Sequence, residues 1–165
     1  MQRQLTLLSG AGIFLCMSTA PLMAAGPDKE GKYDHEECWV STGNTIIHSD
    51  NAMGGSFKAF GISPSPKPGS LYQNVTGTCV GSWTLISGQY GETDFCEYKD
   101  SSGDKFFGVA SRKNDEEGYW QVMGGTGKYL GMTNTSRWKP ITDSPQPDAQ
   151  TVVTCLRDRG TWKLR

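Results

Sequence analysis

The sequence predicts an all-β protein, a single antiparallel sandwich or barrel fastened by disulfides. Three observations carry that reading. Apolar β-branched and aromatic residues fall in short extended runs, with turn signals roughly every eight to twelve residues. No window keeps apolar residues at the three-and-four spacing of an amphipathic helix. Glycine, 21 of 165 residues, is abundant enough to serve many tight turns. With 36% hydrophobic residues and five Trp, the chain is too apolar for disorder. Its 16 basic and 17 acidic residues give a net charge of −1, which offers no electrostatic footprint for nucleic acid or an anionic membrane.

Residues 1–25 read as a secretory signal peptide. Arg3 precedes an uncharged, mostly apolar stretch from Leu5 to Met17, and the small residues around Ala24-Ala25 offer a cleavage site. The stretch is too short to span a bilayer. The expected location is periplasmic or secreted, with no membrane association. Residues 26–35 read as a flexible charged lead-in, and residues 36–165 as the barrel domain.

Strands are expected at 38–47, 55–62, 71–86, 93–99, 105–111, 119–123, 128–133, 151–156 and 160–164. Asp50-Asn51, Ser87-Gly88 and Ser101-Ser102-Gly103 supply turns between them. Pro64, Pro66 and Pro68 place a loop at 63–70, because three prolines cannot sit inside a sheet. A second proline loop covers 143–147.

Of five cysteines, Cys16 lies in the signal segment, which leaves Cys38, Cys79, Cys96 and Cys155. An even number in an exported domain argues for two disulfides. If Ser87-Gly88 closes a hairpin, paired residue numbers sum to 175, and Cys79 faces Cys96. Cys38 and Cys155 lie on the first and near-last strands, which are neighbours in a closed barrel. The favoured pairing is therefore Cys79–Cys96 and Cys38–Cys155.

The chemical motifs are mostly structural. Gly124-Gly125-Thr126-Gly127-Lys128 lacks the spacing and the following helix of a phosphate loop, and reads as a tight turn. Asp100 to Asp104 lacks the closing Glu of a calcium loop, and reads as a hairpin turn held by Asp and Ser side chains. His35 reads as a solvated residue near the mature N-terminus, and His48 as a solvated strand end. No metal site and no cofactor is expected. No Ser stands in a nucleophile-elbow context. Glu97 and Tyr98 follow Cys96 on a central strand, so one of the two points into the barrel. They are the candidate polar ligand contacts. Trp83 and Trp120 are candidate apolar contacts if the barrel holds a cavity. No catalytic residue is assigned.

The run Gly118-Tyr-Trp-Gln-Val-Met-Gly-Gly-Thr-Gly-Lys-Tyr-Leu-Gly-Met-Thr (118–133) resembles the hallmark of allene oxide cyclase barrel-like proteins, a superfamily that includes the plant dirigent proteins. Phe95–Gly108 resembles the strand-turn-strand of small secreted bacterial members, and Thr78–Gly81 and Gly160–Leu164 fit the same group. The resemblance covers about residues 36–164. It implies an eight-stranded barrel with a largely apolar interior, acting on small hydrophobic molecules by holding a reactive intermediate in one conformation. It also implies Asp residues facing the cavity, and Asp94 and Asp100 lie on the corresponding stretch.

The function expected from these readings is binding of a small hydrophobic or amphipathic molecule in the barrel. Two alternatives stand beside it. One is a cyclase or isomerase acting on a small apolar substrate in the cavity. The other is a protein-interaction module using loop 63–70. Assembly into a homo-oligomer is left open.

Overall fold

The structure is a computed structural model and describes residues 29–63, 71–114, 116–143 and 150–165. The signal segment, most of the loop at 63–70 and most of the loop at 143–147 lie outside the described residues. Eight strands run β1 (Glu30–Ser49), β2 (Ala52–Ser63), β3 (Val75–Ile86), β4 (Gln89–Lys99), β5 (Lys105–Lys113), β6 (Gly118–Gly125), β7 (Thr133–Asp143) and β8 (Thr151–Lys163). Each pairs antiparallel with its sequence neighbours, and β1 pairs with β8, closing the barrel. Among the described residues no helix is long and apolar enough to cross a membrane.

Both expected disulfides form. In the β3–β4 hairpin every paired couple sums to 175, from Thr76 with Lys99 to Ile86 with Gln89, and Cys79 faces Cys96. Ser87 and Gly88 make the turn with φ of 52° and 78°, the left-handed pair that a two-residue hairpin requires. Cys38 faces Cys155 across the β1–β8 seam. The two bonds lie on opposite faces: Cys79 and Cys96 are buried inside, whereas Cys38 is exposed outside.

Four boundaries differ from the sequence expectation. The lead-in is strand from Glu30 onward, paired with β8 from Glu30–Lys163 through His35–Asp158. Its alternating charges form the outer face of that strand, where Arg157 clasps Asp34 with two bonds of 2.6 and 2.7 Å. The inner face carries Tyr33, His35 and Glu37. The segment 128–133 is not a strand. Gly127–Tyr129 forms a 3-10 turn, with Gly127 at φ +50° and Lys128 N–H donating to Asp104. The seventh strand lies instead at Thr133–Asp143, where Pro140 is tolerated because the register shifts between Pro140 and Thr142. The segments 151–156 and 160–164 are one strand, continuous through Gly160. Leu71–Asn74 is a turn, not the start of β3.

The core is concentrated at one end of the barrel. Tyr72, from the turn before β3, is 1% exposed. It meets Tyr33, His35, Tyr98 and Phe106 at ring separations of 4.5–5.6 Å. Tyr98 stacks on Phe106 at 5.0 Å, and Phe106 meets Tyr129 edge-on. Trp39 lies over Gly61 and Gly77, where a Cβ would fall 2.6 and 2.4 Å from the indole. Glycine on the inner face is what admits so large a side chain. This aromatic plug closes one end; among the described residues the other end is hollow.

Candidate functional site

Above the plug lies a cavity of about 420 Å³. Its floor includes Glu37, Trp39, Tyr98 and Asp158, and its walls rise past Phe57, Ala59, Trp120 and the Cys79–Cys96 bond. Trp83, Tyr90, Arg112 and Trp138 also line it, on the side toward the end of the barrel that carries the β3–β4, β5–β6 and β7–β8 connections. Strand alternation explains the lining. Glu92, Asp94, Cys96 and Tyr98 share one parity on β4, so the inward Cys96 fixes all four on the inner face.

A polar group is built into this apolar wall. Tyr90 Oη donates to Glu92 Oε2 at 2.6 Å. Arg112 stands 3.7 Å from the same carboxylate, with its guanidinium 4.8 Å from the Tyr90 ring and 5.5 Å from the Trp138 ring. Asp94 lies beside them, and its Oδ1 is buried without a hydrogen-bond partner. Burial, then the charge of Glu92, push the Asp94 carboxyl up to about 8. At neutral pH it is therefore mostly protonated and can donate a hydrogen bond or a proton. Burial also raises Tyr90 above the usual phenol range.

A second polar group underlies the floor. Tyr98 Oη reaches Glu37 at 3.3 Å. Asn134 donates to Tyr33 Oη at 2.8 Å, and Tyr72 donates to the same oxygen at 3.4 Å. Asp158, 2% exposed, is pushed up to about 7 by burial and by the charge of Glu37. His35 was expected to be solvated. Its side chain is instead 6% exposed, packed against Tyr33 and Tyr72. The inner face of the extended β1 carries it inside.

No protein-family model matches the sequence, and no curated protein matches it either. Solved structures do match in fold. The pterocarpan synthase dirigent protein PsPTS1 superposes with a TM-score of 0.50 over 84% of this chain and 97% of that one, at 12% identity. The pterocarpan synthase dirigent protein GePTS1 gives a TM-score of 0.48 over 85% and 94%, at 14% identity. The chain shares the eight-stranded barrel of the dirigent proteins.

The structure separates the sequence-predicted contacts. Tyr98, Trp120 and Trp83 line the cavity, the first two buried and the third half-buried. Glu97 does not. It points outward and pairs with Lys105 at 2.9 Å, both side chains more than a third exposed. Alternation is the reason: with Cys96 and Tyr98 inward, Glu97 must face solvent. Of the two aspartates, Asp94 faces the cavity and Asp100 does not. Asp100 holds the β4–β5 turn, accepting from Ser102 N–H, Ser102 Oγ and Asp104 N–H at 2.7–3.0 Å and pairing with Lys128. Those partners outweigh its burial and keep its carboxyl low, at about 2. Glu92 and Arg112 escaped the sequence reading, although Glu92 shares the parity of Cys96. The cluster at His35 and Asp158 is hidden in the sequence because residues 30–35 become strand only by pairing with β8.

Proposed function

We propose that the barrel binds a small hydrophobic or amphipathic molecule in this cavity, as an exported protein. The observation that supports it is the cavity itself. At about 420 Å³ it falls within the range of small-molecule sites, roughly 300–1,000 Å³. Its Trp and Phe walls suit an apolar body. The Glu92–Asp94–Arg112 group suits one oxygen-bearing end of that body, which Asp94 can donate to and Arg112 can attract. Two disulfides fit an oxidising compartment and with it the export expected of residues 1–25.

Native mass spectrometry of the protein recovered from its host, followed by denaturing extraction, tests this reading. An apolar compound released at one per chain supports it. An empty protein that also fails to bind 1-anilinonaphthalene-8-sulfonate overturns it. Arg112→Met is expected to weaken that anionic probe about tenfold.

Asp94 favours the cyclase or isomerase reading as the second choice. A carboxylic acid held protonated at neutral pH beside an ionisable partner is what acid catalysis on a bound apolar substrate needs. The cavity would supply position and water exclusion, and Asp94 the proton. Turnover of the extracted compound, lost in Asp94→Asn with binding retained, separates catalysis from simple binding.

A further inference from the structure

The most unusual chemistry in the molecule lies beneath the cavity rather than in its wall. His35 and Glu37 occupy alternate positions of β1, so both point inward. Asp158 is the direct partner of His35 on β8. One imidazole and two carboxylates therefore converge from two neighbouring strands. One ligand-type atom from each lies within 4.8 Å of the others, and His35 Nε2 stands 3.7 Å from Glu37 Oε2. The His35 and Glu37 side chains are 6% and 4% exposed. Both ring nitrogens of His35 and Oδ1 of Asp158 are buried without a hydrogen-bond partner in the protein. A buried imidazole with neither nitrogen paired is costly, and so are two buried carboxylates side by side. A single group that accepts electron pairs from all three would relieve every one of these costs.

We infer that His35, Glu37 and Asp158 form a binding site for one divalent transition-metal ion at the floor of the barrel. One nitrogen and two oxygen donors, with no thiolate, suit zinc, manganese or iron(II); the imidazole argues against calcium and magnesium. Metal–ligand distances of about 2.0–2.2 Å place donors roughly 3.4 Å apart in a tetrahedron. The widest separation here closes to that value if two side chains each move by about 0.7 Å. Tyr98 Oη, within 3.3 Å of Glu37, orients one ligand from behind. Three protein ligands leave a coordination position over, as in zinc sites that act on bound molecules rather than merely hold a fold. Glu37 and Asp158 both line the cavity, so an ion between them is reachable by whatever the cavity holds.

The alternative is a self-contained cluster of the three side chains that holds no ion. Zinc titration separates the two. The oxidised protein, purified without a histidine tag and stripped with a chelator, is titrated with Zn²⁺ alone and followed by calorimetry and native mass spectrometry. One ion per chain is expected, undisturbed by excess Mg²⁺ or Ca²⁺. Glu37→Gln and Asp158→Asn, which keep the side-chain shapes, are each expected to weaken binding at least tenfold. Asp50→Asn, beside the exposed His48, is expected to leave it unchanged. The chain has only two histidines, so ¹⁵N-histidine spectra of the unaltered protein locate the ion even if a variant fails to fold. Zn²⁺ is expected to shift the His35 ring nitrogens. The inference is overturned if no zinc binds, if only the His48 ring responds, or if both folded variants bind as tightly as the parent. None of these outcomes depends on whether an apolar ligand occupies the cavity.

Discussion

The carboxyl of Asp94 occupies the space that a side chain on Gly81 would take. The two residues are partners across β3 and β4, and a Cβ on Gly81 would fall 2.1 Å from Asp94 Oδ1 and 2.8 Å from the Phe57 ring. Gly81 thus sets where the protonated acid lies. Gly81→Ala is expected to cost about 1–3 kcal/mol, the usual range for forcing atoms into a filled interior. The double variant Gly81→Ala/Asp94→Ala should recover much of that loss, because the clash goes with the carboxylate. Urea denaturation of the three variants measures the coupling; purely additive losses would show that Asp94 does not lie over Gly81.

Asp94 also gives stability a direction with pH. In the unfolded chain its carboxyl titrates near the ordinary value, about 3.9, but in the folded protein it rises to about 8. The folded state therefore binds more protons than the unfolded one between those values, and stability falls as pH rises through that window. Asp158, pushed up to about 7, acts in the same sense. Denaturation midpoints are expected to drop from pH 5 to pH 8, and Asp94→Asn should flatten the drop while leaving the Asp158 part. Equal slopes in the two proteins would contradict the assignment.

The contrast between Glu97 and Tyr98 yields a paired test. Glu97→Gln removes a solvent-exposed ion pair with Lys105, and its effect on stability should stay within about 0.5 kcal/mol. Tyr98→Phe removes the hydroxyl that reaches the buried Glu37 carboxyl at 3.3 Å. Leaving a buried acceptor without its donor costs about 1–3 kcal/mol. Thermal denaturation of the two variants should therefore place Tyr98→Phe well below Glu97→Gln.

Strand register was legible in the sequence wherever a turn could be anchored. Ser87-Gly88 fixes the hairpin, the hairpin fixes Cys79 opposite Cys96, and a buried Cys96 then implies that Asp94 and Tyr98 share its face. The same parity places Glu97 on the outer face. The pairing of Cys38 with Cys155 follows from closing the barrel, which makes the first and last strands neighbours. The polar floor was not legible, for a physical reason. Charges at Glu30, Lys32, Asp34 and Glu36 resemble a solvated tail, and nothing local shows that the residues between them face a core. That fact depends on pairing with β8, more than a hundred residues away. The strand at Thr133–Asp143 was masked by Pro140, which local rules exclude from a sheet and a register shift readmits.

The two disulfides should differ in both size of effect and access. Cys38–Cys155 spans 117 residues and Cys79–Cys96 spans 17. Loop-closure entropy assigns the longer one about 5 kcal/mol and the shorter about 3. Replacing both cysteines of the seam bond with Ser should therefore lower stability more than the same change in the hairpin bond. The seam bond also faces solvent, with Cys38 exposed, whereas Cys79 and Cys96 are buried in the cavity wall. Under limiting reductant in native buffer, Cys38 and Cys155 should be alkylated first, as read by peptide mass mapping. Simultaneous labelling of all four would mean that opening the seam unfolds the barrel as a unit, so the alkylation order also reports whether β1–β8 pairing survives without its covalent bond.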